Sequence, residues 1–513
     1  MTSSSSLSRK RNSWQQALAV YGDRRALTML FLGFSSGVPL LLIFSTLSLW
    51  LREAGVERST VTMFSWAALA YSFKFVWAPL IDALPLPGLT RWLGRRRAWL
   101  LVAQLLIVIA ILWIALIDPH LSGSLMYMAF AAVLLGFSSA TQDIVVDAYR
   151  IELAEHDTAM QSVMAATYNA GYRIGMVIAG AGALFLADVF GSNGTHYQYQ
   201  AWQHTYFIMA SVMLVGIITT FIIRETQPTP KSLTQHNREY ARLVLVFALC
   251  VVAFIGSIQI IGLVLPESAS PLWGFALGSI RLLISIAVAV AVGLILVKAG
   301  MVSAETARTT WLNPILDFFN RYGKAALWLL ALIGLYRISD IVSGVISNVF
   351  YEDMGFSKTE IAAAVKTFGV IMSIGGGFVG GLLAQRYSLM KLMAVGAILA
   401  ALTNLLFVGL AWRGHDVVFM YLAVAADNLA SGLAGAVFVA FLSALTSIRF
   451  TAVQYAIFSS LMTLIPKTLG GYSGTIVDHI GYPGFFTFTA LIGAPVLLLI
   501  YQVNRMVRLN DNP

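Results

Sequence analysis

Cys250 is the single cysteine in 513 residues, which excludes an intrachain disulfide and a thiolate metal cluster. Charge is scarce too: charged residues make up 11% of the chain, against roughly a quarter in a soluble domain. With 58% hydrophobic residues and a mean hydropathy of +0.79, such a chain cannot be water-soluble, and no stretch leaves room for a soluble catalytic domain. The seven histidines (His120, His156, His196, His204, His236, His415, His479) fall in loops or near the ends of apolar runs. No buried histidine-based or metal-based centre can be built from them, so an enzyme, a metal and a catalytic residue are not expected. A sensor would need a soluble output domain, and none is legible.

What fills the chain is a succession of apolar runs, each of about the 20 residues that cross a bilayer. They are read at 26–51, 60–82, 98–118, 125–152, 159–189, 202–223, 241–265, 276–298, 323–350, 357–385, 389–412, 416–447, 451–478 and 482–505, fourteen helices of an all-α membrane protein. The basic 1–25 segment (Arg9, Lys10, Arg11, Arg24, Arg25) precedes a run too long for a signal-peptide core, so it is expected to stay attached as a tail. The net charge of +9 reflects membrane sidedness rather than nucleic-acid binding. With both termini inside, cytoplasmic segments hold about 23 Lys and Arg, including Arg95, Arg96, Arg97, Arg224, Lys231, Arg238, Arg308 and Arg386, and outer loops hold about four. The outer four are Arg52, Arg58, Lys358 and Arg413. The expected location is an inner membrane, in a lipid bilayer, as a monomer.

The chain also repeats itself. Leu51-Arg-Glu-Ala-Gly-Val-Glu-Arg-Ser-Thr-Val61 is echoed 300 residues on by Tyr351-Glu-Asp-Met-Gly-Phe-Ser-Lys-Thr-Glu-Ile361, and Ala187-Asp-Val-Phe-Gly191 by Val477-Asp-His-Ile-Gly481. Two parallel six-helix halves follow, 26–223 and 323–505, with a linker at 224–322 that carries an extra helix pair and an amphipathic segment, and a tail at 506–513.

Six basic residues fall inside spans: Lys74, Arg173, Arg281, Arg337, Lys366 and Lys467. Ionisable groups at mid-membrane are costly and mark function, so several of them need a shared polar interior. Arg281, about six residues or 9 Å into its span, can snorkel outward and is given no role. On the fourth span, Gln142-Asp-Ile-Val-Val-Asp-Ala-Tyr-Arg150 places Asp143, Asp147 and Arg150 at spacings of four and three, on one helix face. Two carboxylates on one face suit a proton site, since close like charges and a low-dielectric wall favour keeping a proton. The alternative is that Asp147 and Arg150 form a salt bridge at a gate. Arg173 is expected to face either an acid of the fourth span or an anionic cargo. Arg337 and Asp340, three apart, can pair locally. Lys74 has three readings: snorkelling, pairing with Asp82, or facing a cavity. Lys366, Asp427-Asn428 and Lys467 complete a charged and polar set drawn from both halves. The glycines of Gly375-Gly-Gly-Phe-Val-Gly-Gly381 read as close helix packing, because no Gly-Lys-Ser/Thr follows them as in a phosphate loop. Asn193-Gly-Thr195 matches a glycosylation sequon, with no secretory context to support it.

Asp82 followed by Leu93-Gly-Arg-Arg-Arg97 resembles the loop joining the second and third helices of the major facilitator superfamily. That resemblance implies gating roles for Asp82 and Arg95. The second half has a weaker version, Gly380-Gly-Leu-Leu-Ala-Gln-Arg386, with Gln385 where an acid is expected. Leu32-Gly-Phe-Ser-Ser-Gly-Val-Pro39, Phe73-Lys-Phe-Val-Trp-Ala-Pro79, Ser139-Ala-Thr-Gln-Asp-Ile-Val-Val-Asp-Ala148, Gly171-Tyr-Arg-Ile-Gly-Met176 and Val453-Gln-Tyr-Ala456 resemble the AmpG muropeptide permease family. The resemblance implies proton-coupled import of N-acetylglucosamine-anhydro-N-acetylmuramic acid, with or without its stem peptide, for cell-wall recycling that influences β-lactamase induction. It also implies that Asp143 and Asp147 are the family's paired acids and Lys366 the lysine of its Lys-Thr-x-Gly string. The expected cofactor is none beyond the coupling proton. Arg173, Arg337, Lys366 and Lys467 would offset cargo carboxylates, and Tyr149, Tyr172 and Tyr336 would stack on sugar faces. Gln142, Asp340, Asp427 and Asn428 are the remaining cargo candidates, with Lys74 and Arg150 grouped with the gate. Another anionic cargo, such as a siderophore, is the alternative.

Overall fold

The computed structural model describes residues 18–57, 64, 71, 73–121, 123–155, 157–192, 196–226, 237–264, 271–470 and 472–507. The Asn193-Gly-Thr195 sequon, Arg58, Lys231 and residues 60–63, 65–70 and 72 of the expected 60–82 span lie outside them. Twelve helices among the described residues are long and apolar enough to cross a membrane: Arg95–Ala115, Ser124–Leu153, Thr158–Val189, Tyr199–Ile222, Glu239–Val264, Ile280–Lys298, Ala325–Ser347, Ala362–Ala384, Leu389–Arg413, Val417–Leu445, Ile448–Gly470 and Ser473–Met506. Helical backbone also runs through 24–53, as Arg24–Leu41, a π-turn at Leu42–Thr46 and Leu47–Glu53. Pro39 cannot donate to its ladder, and the wider turn follows it.

Both sequence echoes end or break helices at glycines with positive φ. Gly55 and Gly355 have φ of 74° and 86°, and Gly191 and Gly481 have φ of 99° and 69°. In the first pair the N–H of the next residue returns to a carbonyl five back, Val56 to Leu51 and Phe356 to Tyr351, which closes the helix with a left-handed glycine cap.

The chain divides into two compact units, Met1–Ala78 with Leu86–Gln227 and Tyr322–Pro513, and Pro79–Pro85 with Pro228–Arg321. In the second unit, Asn237–Val264 and Pro271–Lys298 pack on each other. Their outer faces expose Ile260, Leu263, Leu283, Leu294 and Ile295, a pattern suited to lipid rather than water. Arg281 does not snorkel: its Nε donates to the Ile258 carbonyl of the facing helix at 2.5 Å.

In the first unit, Arg24–Leu41 packs on Thr158–Val177 so closely that a Cβ at Gly33 would lie 2.1 Å from the Tyr168 oxygen and one at Gly171 1.9 Å from the Leu30 oxygen. The expected glycine run behaves alike: Gly376 and, across from it, Gly432 would each place a Cβ 2.0 Å from a facing carbonyl oxygen. Backbone contact of this kind is how membrane helices associate without a hydrophobic driving force. Thr158–Val177 also packs against Gly369–Ala384 and Val417–Leu445, which joins the two halves. The Val163 backbone meets Gly381 there, and the Tyr21 hydroxyl donates to the Phe378 carbonyl at 2.5 Å. These contacts lie toward the end of the bundle that carries the Arg95 loop.

Candidate functional site

Three residues on one face of Ser124–Leu153 begin the site. Lys74 joins them from a 3-10 turn, Lys74–Val76, that interrupts its segment five residues before Pro79. Its ammonium lies 2.9 Å from Asp143 Oδ2 and 3.6 Å from Asp147 Oδ2. Tyr168 donates its hydroxyl to Asp143 Oδ1 at 2.6 Å. Arg150 donates to Asp147 Oδ1 at 3.2 Å, to Gln161 Oε1 at 2.9 Å and to Ser443 Oγ of the other half at 2.8 Å. Its guanidinium also lies over the Tyr455 ring, 5.1 Å from the centroid. Two cations face two carboxylates, with Lys74 and Arg150 almost fully buried. Such a set is stable only as a unit, because removing one charge leaves its partner buried and uncompensated. Lys74 thus pairs with the two acids rather than snorkelling, and the Asp147–Arg150 bridge also touches the opposite half.

A second network closes the Arg95 end. Gly94, at φ 88°, starts Arg95–Ala115, whose first N–H groups at Arg96 and Arg97 donate to Glu225 at 2.8 and 3.0 Å. Burial pushes the Glu225 carboxyl above the usual carboxylate range, against the pull of those two donors. The Arg96 guanidinium grips Glu152 at 2.6 Å and donates to Thr451 Oγ1 at 3.1 Å, while Thr451 donates to Glu152 at 2.8 Å. Thr451 therefore ties the second half to an ion pair of the first. Arg95 sits at the edge, 3.9 Å from Glu152, and the arginine buried in this network is Arg96. Asp82 is buried within Ala78–Ala83. Gln161 donates to the carbonyls of Arg150, Ile151 and Ala154, and Gln454 accepts from the Ser447 N–H in the matching place of the other half. Sequence reasoning missed Glu152, Thr451, Ser443 and Tyr168. A signal existed for part of the set: Thr158-Ala-Met-Gln161 recurs 293 residues later as Thr451-Ala-Val-Gln454.

Arg173, on Thr158–Val177, makes no hydrogen bond or ion pair with any described residue, and its Nε is buried without a partner. The one cation acting on it is Arg337 of the second half, a like charge. Arg337 stands at the break between Ala325–Leu335 and Ile338–Asp353, with φ −101° and ψ 16°. It makes the expected local pair, Nη2 to Asp340 at 3.0 Å, adds Ser431 at 2.8 Å, and leaves its own Nε buried and unpartnered. Asp427 meets Thr403 Oγ1 at 3.1 Å, and Asn428 donates to the Val424 carbonyl at 3.0 Å. Lys366, within a π-helical Ala362–Phe368, and Lys467, following Pro466, are exposed and have no ion pair among the described residues.

Three expected cargo residues are placed elsewhere. Gln142 is fully buried and donates to Ser36 at 2.9 Å, so it holds the Arg24–Leu41 helix. Tyr149 is buried with its hydroxyl on the Arg224 carbonyl at 2.8 Å, at the Arg95 end. Tyr336 stacks on Phe438 at 4.4 Å and donates to the Met393 carbonyl, inside the second half. Tyr172 stays beside the acid cluster, its ring 6.0 Å from that of Tyr168.

The sequence pattern of the Major Facilitator Superfamily matches residues 26–335. A protein of Rickettsia conorii named putative transporter AmpG 4 is 30% identical over 488 residues, covering 95% of this chain and 98% of that one. The anhydromuropeptide permease of Escherichia coli K12 is 30% identical over 505 residues, covering 97% and 84%. Among solved structures, a double-tryptophan mutant of the facilitator XylE superposes with a TM-score of 0.62 at 11% identity, covering 96% of this chain and 98% of that one. FucP in its outward conformation gives 0.58 at 12%, covering 93% and 98%. Those likenesses establish the fold. A multi-pass helical membrane protein, with paired charges between two halves and full-length permease relatives, is a transporter and not an enzyme: this chain belongs to the AmpG family of the Major Facilitator Superfamily.

Proposed function

We propose that this transporter imports anhydro-muropeptides, N-acetylglucosamine-anhydro-N-acetylmuramic acid with or without stem peptide, from periplasm to cytoplasm with protons, across the inner membrane. The observation that carries the anionic cargo is Arg173, a largely enclosed guanidinium with no acid partner, opposed by Arg337 of the other half. Two like charges facing each other across a bundle call for an anion between them. The full-length relative named anhydromuropeptide permease supplies the cargo class.

The excess of Lys and Arg at the Arg95 end supports placing that end and both termini in the cytoplasm. In that orientation the transporter is latched on its cytoplasmic side, as an acceptor of periplasmic cargo must be. A proton taken by Asp147 or Asp143 weakens the hold on Arg150 and Lys74. Arg150 also holds Ser443, so neutralising its acid loosens the latch between the halves. A cargo carboxylate bound between Arg173 and Arg337 draws the halves together, and the cavity opens inward. Asp143 and Asp147 are the coupling acids in this reading; Arg150, Arg96 with Glu152, and Thr451 are the latch. Fourteen spans, a single working copy and an inserted pair separate from the two halves complete it.

The test is uptake of labelled anhydro-disaccharide into proteoliposomes, competed by peptide-bearing muropeptide, a ferric siderophore and an unrelated dicarboxylate. Competition by muropeptide alone supports the cargo. Uptake abolished by the siderophore but not by muropeptide selects the other anionic cargo.

A further inference from the structure

The acids of the first half and those of the second are not alike. Asp143 and Asp147 share two cations, Lys74 and Arg150. Asp340 has Arg337. Asp427, in the middle of Val417–Leu445, has no ion pair: its one hydrogen-bond neighbour among the described residues is Thr403. An ionised carboxylate enclosed in a membrane bundle without a counter-ion is among the costliest groups a fold can hold, whereas the neutral acid is not.

The hydrogen-bond count points the same way. Thr403 Oγ1 lies 3.1 Å from Asp427 Oδ1 and 3.2 Å from the Ala400 carbonyl oxygen, and a hydroxyl has one proton to give. The carbonyl can only accept. With the Thr403 proton on Ala400, the contact to Asp427 is a hydrogen bond only if Asp427 carries the proton, giving a relay from Asp427 through Thr403 to Ala400. An ionised Asp427 would have to compete with Ala400 for that one proton.

No cation pairs with Asp427, although Arg337 attracts it; on the other packed elements Arg413 pairs with Asp416, and Lys366, Lys391 and Lys467 have no ion pair among the described residues. On Ile338–Asp353 and the break before it stand Asp340, which repels a second negative charge, Arg337, already hydrogen-bonded to Asp340 and Ser431, and the Tyr351 phenol. Gly369–Ala384 has no titratable residue. Thr158–Val177 brings Arg173, which acts on Arg337 rather than on Asp427. Tyr455 of Thr451–Gly470 sits against Arg150.

We propose that Asp427 is a neutral carboxylic acid in this conformation and the proton-carrying group of the second half, so that transport engages one proton site in each half. Asp427 is then a proton carrier and not a cargo ligand. Its proton leaves as a hydron to water when the halves rearrange and a cation, Arg337 being the nearest, becomes available to the carboxylate. The proposal rests on the proton-coupled reading above, but its first test needs no cargo.

That test is infrared spectroscopy of the purified protein in nanodiscs at neutral pH, reading the C=O stretch of protonated carboxyl groups and its shift in heavy water. A band lost in Asp427→Asn and kept in Asp143→Asn and Asp147→Asn is expected. No such band in the native protein, or one unaffected by Asp427→Asn, overturns the proposal whatever the cargo. Should Asp427→Asn fail to fold, Thr403→Val decides: the band should remain and move to higher frequency as its hydrogen bond is lost, and an unmoved band refutes the relay. In proteoliposomes, each coupled proton multiplies steady-state accumulation about tenfold per pH unit of gradient. Asp427→Asn should lower accumulation about tenfold per pH unit, measured relative to its own exchange rate with any anion the native protein carries. An unchanged ratio contradicts the proposal, while absence of muropeptide transport alone contradicts only the cargo.

Discussion

Asp147→Asn mimics a protonated Asp147, because the amide keeps the shape and removes the charge. In the native cluster the carboxylate attracts Arg150 at 3.2 Å and Lys74 at 3.6 Å. At an effective dielectric of about 20, each contact is worth roughly 5 kcal/mol of gross Coulomb attraction. Desolvation of the ions offsets most of that. Arg150 keeps Gln161 and Ser443, so the net loss at the latch is about 1–3 kcal/mol, a shift of about 5–150-fold between the halves closed and open at the Arg95 end. Val163 reports that shift, since it is fully buried against Gly381 of the other half. In a Cys250→Ser background, Val163→Cys should react with a maleimide about 5–150-fold faster when Asp147→Asn is added. Equal rates with and without Asp147→Asn, in proteins of equal thermal stability, would refute the link between protonation and the latch.

Further expectations follow from single contacts. Arg173→Gln should weaken cargo binding about 10–150-fold, the loss of charge-assisted hydrogen bonds worth about 1.5–3 kcal/mol, with partial retention in Arg173→Lys; titration calorimetry reads both. Tyr149→Phe should leave cargo affinity unchanged while loosening the segment at Arg224, seen as faster hydrogen exchange there, because its hydroxyl serves the Arg224 carbonyl. Gly171→Ala should lower the melting temperature or abolish insertion, since its methyl would meet the Leu30 carbonyl at 1.9 Å and neither backbone can yield cheaply. Thr451→Val removes the hydroxyl shared by Arg96 and Glu152 and should raise Val163→Cys reactivity even with Asp147 intact.

Much of this was legible in the sequence for identifiable reasons. Hydropathy marks the spans because a bilayer sets their length, and period 3.6 puts Asp143, Asp147 and Arg150 on one face. The repeats marked helix stops, since glycine is what a left-handed cap demands at Gly55 and Gly355. What could not be read was partnership between helices. Lys74 could snorkel, pair with Asp82 or face a cavity until the 3-10 turn aimed it at the acids of the fourth span. Arg173 had two readings, an acid of the fourth span or an anionic cargo, and the fold gives it no acid. Gln142 and Tyr149 flank the functional face on the same helix, and a step of one residue, about 100° around the axis, turned them into packing groups. Thr451 and Ser443 carry no charge and only matter because the other half brings Arg96 and Arg150 to them.

The central claim is that an anionic muropeptide and protons cross together. The measurement that tests it most directly is proton uptake, followed with a pH indicator, when anhydro-muropeptide is added to proteoliposomes with no imposed gradient. Cargo-induced alkalinisation of the outer medium, lost in Asp143→Asn and Asp147→Asn while both remain folded, is the predicted result. Cargo entry without proton movement in the native protein would contradict the account.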